Sequence, residues 1–269
     1  MAAILDAKGL NKSFGAVIAA ADITAEIEKD SVVGLIGTNG AGKTTFINMI
    51  TGYLKPDHGR IHYEGRDITD LAPRDITRIG ICRSFQIPQL YSSLTAYENM
   101  LIGLGVVMRN HGVGGFFSRG RPKVPGHDMV AEEAADAILE RFGLVEYRDK
   151  NAQVLPGGVR KLLDIALTMA AKPKLLLLDE PTSGVSAEEK FSIMEMIMKV
   201  VRAEGATVLF VEHDMEVVSR FAERVLAFYD GRIIADAPPD VALNDREVRR
   251  FVVGGELHRL DEKEGRARA

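Results

Sequence analysis

The sequence predicts an α/β protein built on a mostly parallel sheet. Residues 175–178 are an unbroken leucine run of strand length, and residues 187–202 and 215–221 carry apolar side chains at helical spacing. Short apolar runs at 207–211, 225–229 and 232–235 complete the alternation. Strands apolar on both faces and separated by helices belong in a sheet covered on both sides. The 269 residues allow one large domain or two small ones. With 46% hydrophobic and 27% charged residues, the composition is that of a soluble globular chain. Lys and Arg number 34 against 38 Asp and Glu, and the net charge of −4 argues against a strongly basic nucleic-acid binder.

The first third reads as strands at residues 4–14, 18–27 and 32–36, punctuated by Asn11, Gly15 and Lys29-Asp30. A hairpin is expected at 59–65 and a further strand at 79–85. Residues 94–142 are expected to be mostly helical: Thr95-x-x-Glu98 is a capping box, and 129–142 has helical spacing. A Gly/Pro-rich loop is expected between them, over 103–126. The tail from Gly255 has eight charged residues in fifteen and is expected to leave the core. Cys82 excludes an intramolecular disulfide framework and a four-cysteine zinc site; it suits a reducing compartment and reads as a small core residue. Residues 1–6 carry no signal-peptide pattern, and no apolar run approaches the roughly 18 residues of a membrane span. The expectation is a chain neither secreted nor spanning a membrane.

Chemistry enters at Gly37-Thr38-Asn39-Gly40-Ala41-Gly42-Lys43-Thr44-Thr45. This is G-x-x-x-x-G-K-T between a strand and an apolar-periodic segment. The glycines let backbone N–H groups curl around phosphates, and the helix N-terminus adds its dipole. Lys43 reaches the β- and γ-phosphates in this pattern, and Thr44 ligates Mg²⁺. A second element is Asp179-Glu180 at the end of the leucine run, the sheet edge where α/β proteins bind ligands. Asp179 is a second Mg²⁺ partner through water, and Glu180 a general base for the attacking water.

Further landmarks lie in fixed order around these two. They are Gln86 after the 79–85 strand, Leu155-Pro156-Gly157-Gly158-Val159 before the 160–171 helix, Ser183-Gly184-Val185-Ser186, and His213 after the 207–211 strand. Together they resemble the ATP-binding-cassette (ABC) family of ATPases from Phe14 to about Gly254. Arg83-Ser84-Phe85-Gln86, residues 94–99, Gly115-Phe116-Phe117-Ser118-Arg119 and residues 211–215 resemble, more finely, the LivG-like ATPases of branched-chain amino acid transporters.

The resemblance implies a P-loop NTPase (RecA-like) core with an antiparallel β subdomain and an inserted helical subdomain. The implied layout is one ABC domain over 1–254, with core 1–86 and 158–235, helical subdomain 87–157 and tail 255–269. Phe14 would stack on adenine, against the alternative of an ordinary buried strand residue. Gln86 would sense metal or water, and His213 would contact the γ-phosphate. Such ATPases pair head to tail, each ATP lying between one phosphate loop and the partner's signature segment. The implied partners are a second ATPase subunit, two membrane permeases and an external binding protein, at the cytoplasmic face of the cell membrane. The leading expectation is import of branched-chain or other hydrophobic amino acids. Another cargo (urea, an aromatic acid, a lipid) and a soluble non-transport ATPase are the alternatives.

Two departures from the family pattern stand out. The usual signature reads Leu-Ser-Gly-Gly-Gln, whereas Pro156 and Val159 stand at its Ser and Gln positions. Proline suits the first helical position but removes a hydroxyl donor; a hydrogen bond to a charged group is worth about 1.5–3 kcal/mol. Ser186 replaces an acid or Asn, although Ser186-x-x-Glu189 remains a capping box. Both changes fall on the partner's nucleotide, so a heterodimer is favoured. The 104–127 loop, with Arg109, Arg119, Arg121 and Lys123, reads either as a lipid or permease contact or as a solvated loop folded on its own Phe pair.

Overall fold

The computed structural model describes residues 3–84, 89–113 and 121–254. In chain order it runs β1 (Ala3–Phe14), β2 (Val17–Glu28), β3 (Val32–Gly37), α1 (Lys43–Ile50), β4 (His58–Tyr63) and β5 (Arg66–Asp67). Then come α2 (Pro73–Arg78), β6 (Ile81–Arg83), α3 (Ala96–Asn110), α4 (Ala131–Arg141) and α5 (Gly157–Met169). The last part is β7 (Leu175–Asp179), α6 (Glu189–Glu204), β8 (Thr207–Val211), α7 (Met215–Phe221), β9 (Arg224–Tyr229) and β10 (Arg232–Ala237). The described residues form two compact units, 3–73 with 208–254, and 74–207.

In the first unit, β2-β1-β4-β5 form an antiparallel sheet. Leu5, Ala7 and Leu10 of β1 and Ile23 and Ile27 of β2 are buried, the result of apolar residues spaced along each strand. The β4–β5 turn is Glu64-Gly65, and both residues have positive φ, the conformation a two-residue hairpin demands. The second strand group is led by β3, buried at every residue. It runs parallel to both β8 and β9, with Leu35 opposite Val211 on one side and Leu226 on the other. Its run of valine, leucine and isoleucine fits a strand covered on both faces. β10 returns antiparallel to β9 through Asp230-Gly231, again both at positive φ. The Arg224 guanidinium grips Asp236 at 2.5 and 2.6 Å and donates to the Glu26 carbonyl at 2.8 Å, tying β9, β10 and β2 together.

In the second unit, β6 and β7 are parallel, Arg83 lying opposite Leu177. Cys82 is buried there, and burial pushes its thiol up to about 12, as suits an inert core residue. β6 is shorter than expected: residues 73–78 form α2, and Gly80, at positive φ, turns the chain before the strand begins at Ile81. The capping box at Thr95 forms in full, Glu98 N donating to Thr95 Oγ1 at 3.1 Å and Thr95 N to Glu98 Oε2 at 2.8 Å. The helix it starts continues to Asn110, so the expected loop from residue 103 is overturned. Met100, Leu104 and Val107 keep the buried stripe going through the glycines. A Cβ on Gly103 would stand 2.7 Å from Leu167 Cδ2 of α5, so the glycine there is a close-packing device for two helices, not a breaker. Among the described residues, no helix is long and apolar enough to cross a membrane.

Two consequences are measurable by urea unfolding. Gly105 lies in the exposed face of α3 with open space at its Cβ, so Gly105→Ala should stabilise by about 0.5–1 kcal/mol. Gly103→Ala should lose that gain because Leu167 must shift. Separately, half-buried His127 meets the Ala170 carbonyl at 2.8 Å; desolvation is the largest influence on it and lowers its pKa. The folded state therefore binds the proton less readily than the unfolded chain. His127 contributes stability above its ordinary value near 6.5 that is lost as pH falls below it. Replacing it with Gln should flatten stability between pH 7 and 5.

Candidate nucleotide-binding site

The first unit supplies the phosphate loop. β3 ends at Gly37 and α1 starts at Lys43, so the loop between them spans Thr38 to Gly42. Gly37 (φ 149) and Gly42 (φ 107) are wedged against neighbouring backbone. A Cβ on Gly37 would be 2.4 Å from the Phe228 carbonyl, and one on Gly42 would be 2.8 Å from the Ala19 carbonyl. The β9–β10 turn holds the loop from behind, Gly231 N donating to Ala41 O at 3.0 Å and Ala21 N to Gly231 O at 2.8 Å. Asn39 and Gly40 are exposed, and a Cβ at Gly40 would meet open space.

Lys43 is buried, and its ammonium curls back over the loop, donating to Gly37 O at 2.5 Å and Thr38 O at 3.1 Å. A cation stored on the loop's own carbonyls is ready to move onto an anion bound in the loop. Thr44 is exposed at the start of α1, with Thr45 partly covered. Phe46 of the same helix packs on Phe228 with ring centroids 5.6 Å apart, anchoring α1 over β9.

β3 and β8 run parallel, so the segment after Val211 emerges at the same sheet edge as the loop. Glu212 N lies 3.4 Å from Leu35 O, and His213 follows it, partly exposed. Asp214 then caps α7 through Glu216 N and Val217 N. Phe14, at the β1–β2 turn, is 53% exposed with Val17 and Ile18, so it is not an ordinary core residue. The aromatic face is available for stacking on the strand pair whose Ala19 abuts Gly42.

The second unit holds the acids and the signature. β7 presents Asp179, and Glu180 follows in the left-handed region at φ 49, which costs a non-glycine residue about 1–3 kcal/mol. The Asp179 carboxylate accepts from Arg83 Nη2 at 2.6 Å, and Lys161 Nζ of α5 lies 3.4 Å from the Asp179 carbonyl. α5 begins at Gly157 with exposed Pro156 as its N-cap, one position earlier than the first-turn place expected for the proline. Gly157 approaches the Gly184 carbonyl, where a Cβ would sit at 3.4 Å, and Gly158 packs under Ile193, so the signature leans on the loop that follows Glu180. Val159 is half-covered in the first turn. Ser186 donates to Glu189 Oε2 at 2.7 Å and accepts from Glu189 N at 3.3 Å, but α6 starts two residues later than expected with Glu188 as its N-cap, so Ser186 braces the approach to the helix without being its N-cap.

Gln86 lies outside the described residues, as does the 114–120 stretch of the basic loop and the tail from 255. The chain on either side of Gln86 is held within this unit: Ser84 N donates to Leu177 O at 2.9 Å, and Gln89 N to Asp164 Oδ1 at 3.0 Å. The sequence reading assigned no role to Arg83, Lys161 or Asp164. Their signal was charge at positions where the apolar pattern calls for core, since Lys161 and Asp164 are 2% and 5% exposed.

The donors suit the cofactor their pattern implies. The Thr44 hydroxyl in the first unit and the Asp179 carboxylate in the second are each hard oxygen donors of the kind Mg²⁺ takes. Because Gly37 has backbone, not a movable side chain, against its missing Cβ, Gly37→Ala should cost about 2–4 kcal/mol and abolish binding of a fluorescent ATP analogue, read by thermal melting and titration.

Comparison with known proteins bears directly on this arrangement. The family pattern described as ABC transporter matches residues 20–183. The chain is 35% identical to the probable branched-chain amino acid transport ATP-binding protein LivG of Archaeoglobus fulgidus, over 94% of this chain and 96% of that one. It is 33% identical to the high-affinity branched-chain amino acid transport ATP-binding protein LivG of Escherichia coli K12, over 93% and 98%. Among solved structures, the ADP conformation of an ATP-binding cassette of an ABC transporter superposes with a TM-score of 0.79 at 30% identity, covering 93% of this chain and 98% of that one. A dimeric cassette in a post-hydrolysis state with ADP and phosphate superposes with a TM-score of 0.71 at 26% identity, covering 87% and 98%. A phosphate loop, an acid-tipped strand and a glycine signature, matched over nearly the whole chain, leave one assignment: the chain belongs to the ATP-binding-cassette family of transporter ATPases.

Proposed function

We propose that this chain is the ATP-hydrolysing subunit of an importer for branched-chain or other hydrophobic amino acids, driving separate membrane permeases from the cytoplasmic face. The observation that carries the reading is the stored Lys43 ammonium in a loop shaped by Gly37 and Gly42, in a chain similar over more than nine-tenths of its length to ATPases named for that transport. The cassette domain spans 1–254, divided as the sequence indicates. No substrate-selecting group is assigned to this chain, because cargo is read by the permeases and an external binding protein.

In this reading the backbone N–H groups of residues 37–45 and Lys43 hold the triphosphate, and Phe14 stacks on the adenine. Thr44 and Asp179, with Gln86, would hold Mg²⁺, which would supply positive charge to offset that of the β- and γ-phosphates. Glu180 takes the proton of the attacking water, and His213 contacts the γ-phosphate. The left-handed backbone at Glu180 is a strained conformation of the kind that gathers at functional sites, which supports that role. Gly157, Gly158 and the α5 N-terminus serve the partner's ATP, where Pro156 and Val159 supply no side-chain hydroxyl or amide. The partner is therefore a different ATPase subunit: this chain's own site is competent and the one it completes is weak.

Glu180→Gln should keep ATP binding and cut hydrolysis by about 100-fold or more, measured as phosphate release. Pro156→Ser, assembled with the partner subunit, should raise turnover by about tenfold or more, the worth of one restored hydrogen bond to a charged phosphate. Vigorous hydrolysis by the purified chain alone, unchanged by Pro156→Ser, would exclude the asymmetric pair. Purification with permease subunits would support transport, and purification with soluble partners only would exclude it.

A further inference from the structure

The Asp179 carboxylate, assigned above to metal, is held by Arg83 at 2.6 Å, with the two side chains only 10% and 13% exposed. The contact is built into the sheet. Arg83 is the last residue of β6, in register with Leu177, two residues before Asp179 on β7, and Ser84 N donates to Leu177 O at 2.9 Å. The guanidinium is therefore positioned by strand pairing and not by a free side-chain search. A second cation, Lys161 of α5, lies 3.4 Å from the Asp179 carbonyl. Two positive groups from two elements thus converge on the one acid residue that a dication needs. At such low exposure water screens the pair poorly, and the carboxylate charge is largely cancelled.

We propose that Arg83 is a positioning residue that guards Asp179 against bare divalent cations, so that the metal reaches Asp179 only in company with the nucleotide's phosphates. This rests on the ATPase reading and adds an order of binding to it. A dication approaching Asp179 alone meets a neutralised ion pair with a second cation, the Lys161 ammonium, at the same residue's carbonyl. A dication carried by a triphosphate brings its own negative charge, which compensates the guanidinium while the carboxylate turns to a metal-bound water. The guard also restrains the carboxylate, through the charge-assisted bond from Nη2 to Oδ2.

The test is a Mn²⁺ titration of the full chain, read by the paramagnetic resonance signal of free metal, with and without a non-hydrolysable ATP analogue. Without nucleotide, Arg83→Met should bind Mn²⁺ at least about tenfold more tightly than the parent, the order expected for removing one unit charge near a dication. Arg83→Lys, which keeps the charge, should restore weak binding. Arg83→Met combined with Asp179→Asn should lose the gain. With the analogue present, parent and Arg83→Met should differ less than without it. A folded Arg83→Met that binds Mn²⁺ no better than the parent overturns the proposal, as does a gain that survives Asp179→Asn. If Arg83→Met loses its thermal transition, Arg83→Gln carries the same comparison. Asp179→Asn alone separates the two readings: if it leaves Mn²⁺ binding with the analogue unchanged, the metal role of Asp179 and the proposed site fail together. If it weakens that binding while Arg83→Met does nothing, only the guard fails.

Discussion

The phosphate loop can exist only because backbone is permitted to touch backbone on two sides of it. Gly37 sits against the Phe228 carbonyl and Gly42 against the Ala19 carbonyl, at separations that any Cβ would violate. That contact locks the loop to β9 and β2, and the lock sets much else. β3 must be buried on both faces to hold the loop at its end, β9 must run beside it in parallel register, and the Asp230-Gly231 turn must reach back to Ala41. Lys43 can then be buried with its charge satisfied by loop carbonyls, since a buried ammonium without partners would be prohibitively costly.

In the second unit too, the buried charges have hydrogen-bonding partners. Arg83 with Asp179, Asp164 with Gln89 N and Lys161 with the Asp179 carbonyl all lie where the apolar pattern calls for core. Replacing such groups with well-packed hydrophobes is commonly neutral or stabilising, so their presence is weak evidence for stability and better evidence for function. All three gather around the acid-tipped strand and the chain flanking Gln86. α5, which opens with the signature glycines, takes part in two of them, through Lys161 about one turn on and Asp164 about two. The same helix thus carries the signature glycines at its N-terminus and, further on, the Lys161 contact to Asp179 and the Asp164 contact to Gln89 N.

Much of the site was legible in the sequence. The phosphate loop, Asp179-Glu180 and His213 lie at or just after the ends of strands and the signature glycines open α5, so what each demands of the backbone is local and a few neighbours specify it. Elements bounded by strong local signals, such as 207–211 and 215–221, came out at the expected residues. Signals with two meanings were misread or left an alternative open. Gly103 looked like a helix breaker, yet serves as the thin point where α3 meets Leu167. Pro73 and the residues after it form a short helix that the apolar pattern did not announce. Phe14 was consistent with core or with an exposed stacking face, and only its environment distinguishes the two.

By itself, then, the sequence determined which groups can do phosphate chemistry, because those groups are neighbours along the chain and their backbone demands are local. Only the tertiary structure decided which charges those groups must contend with. Arg83 and Asp179 are 96 residues apart, and nothing in either segment names the other. Parallel pairing of β6 with β7, a choice made by buried leucines and isoleucines that carry no chemistry, is what sets a guanidinium on the acid. Register is a property of two strands together, so it can be read only once both are in place.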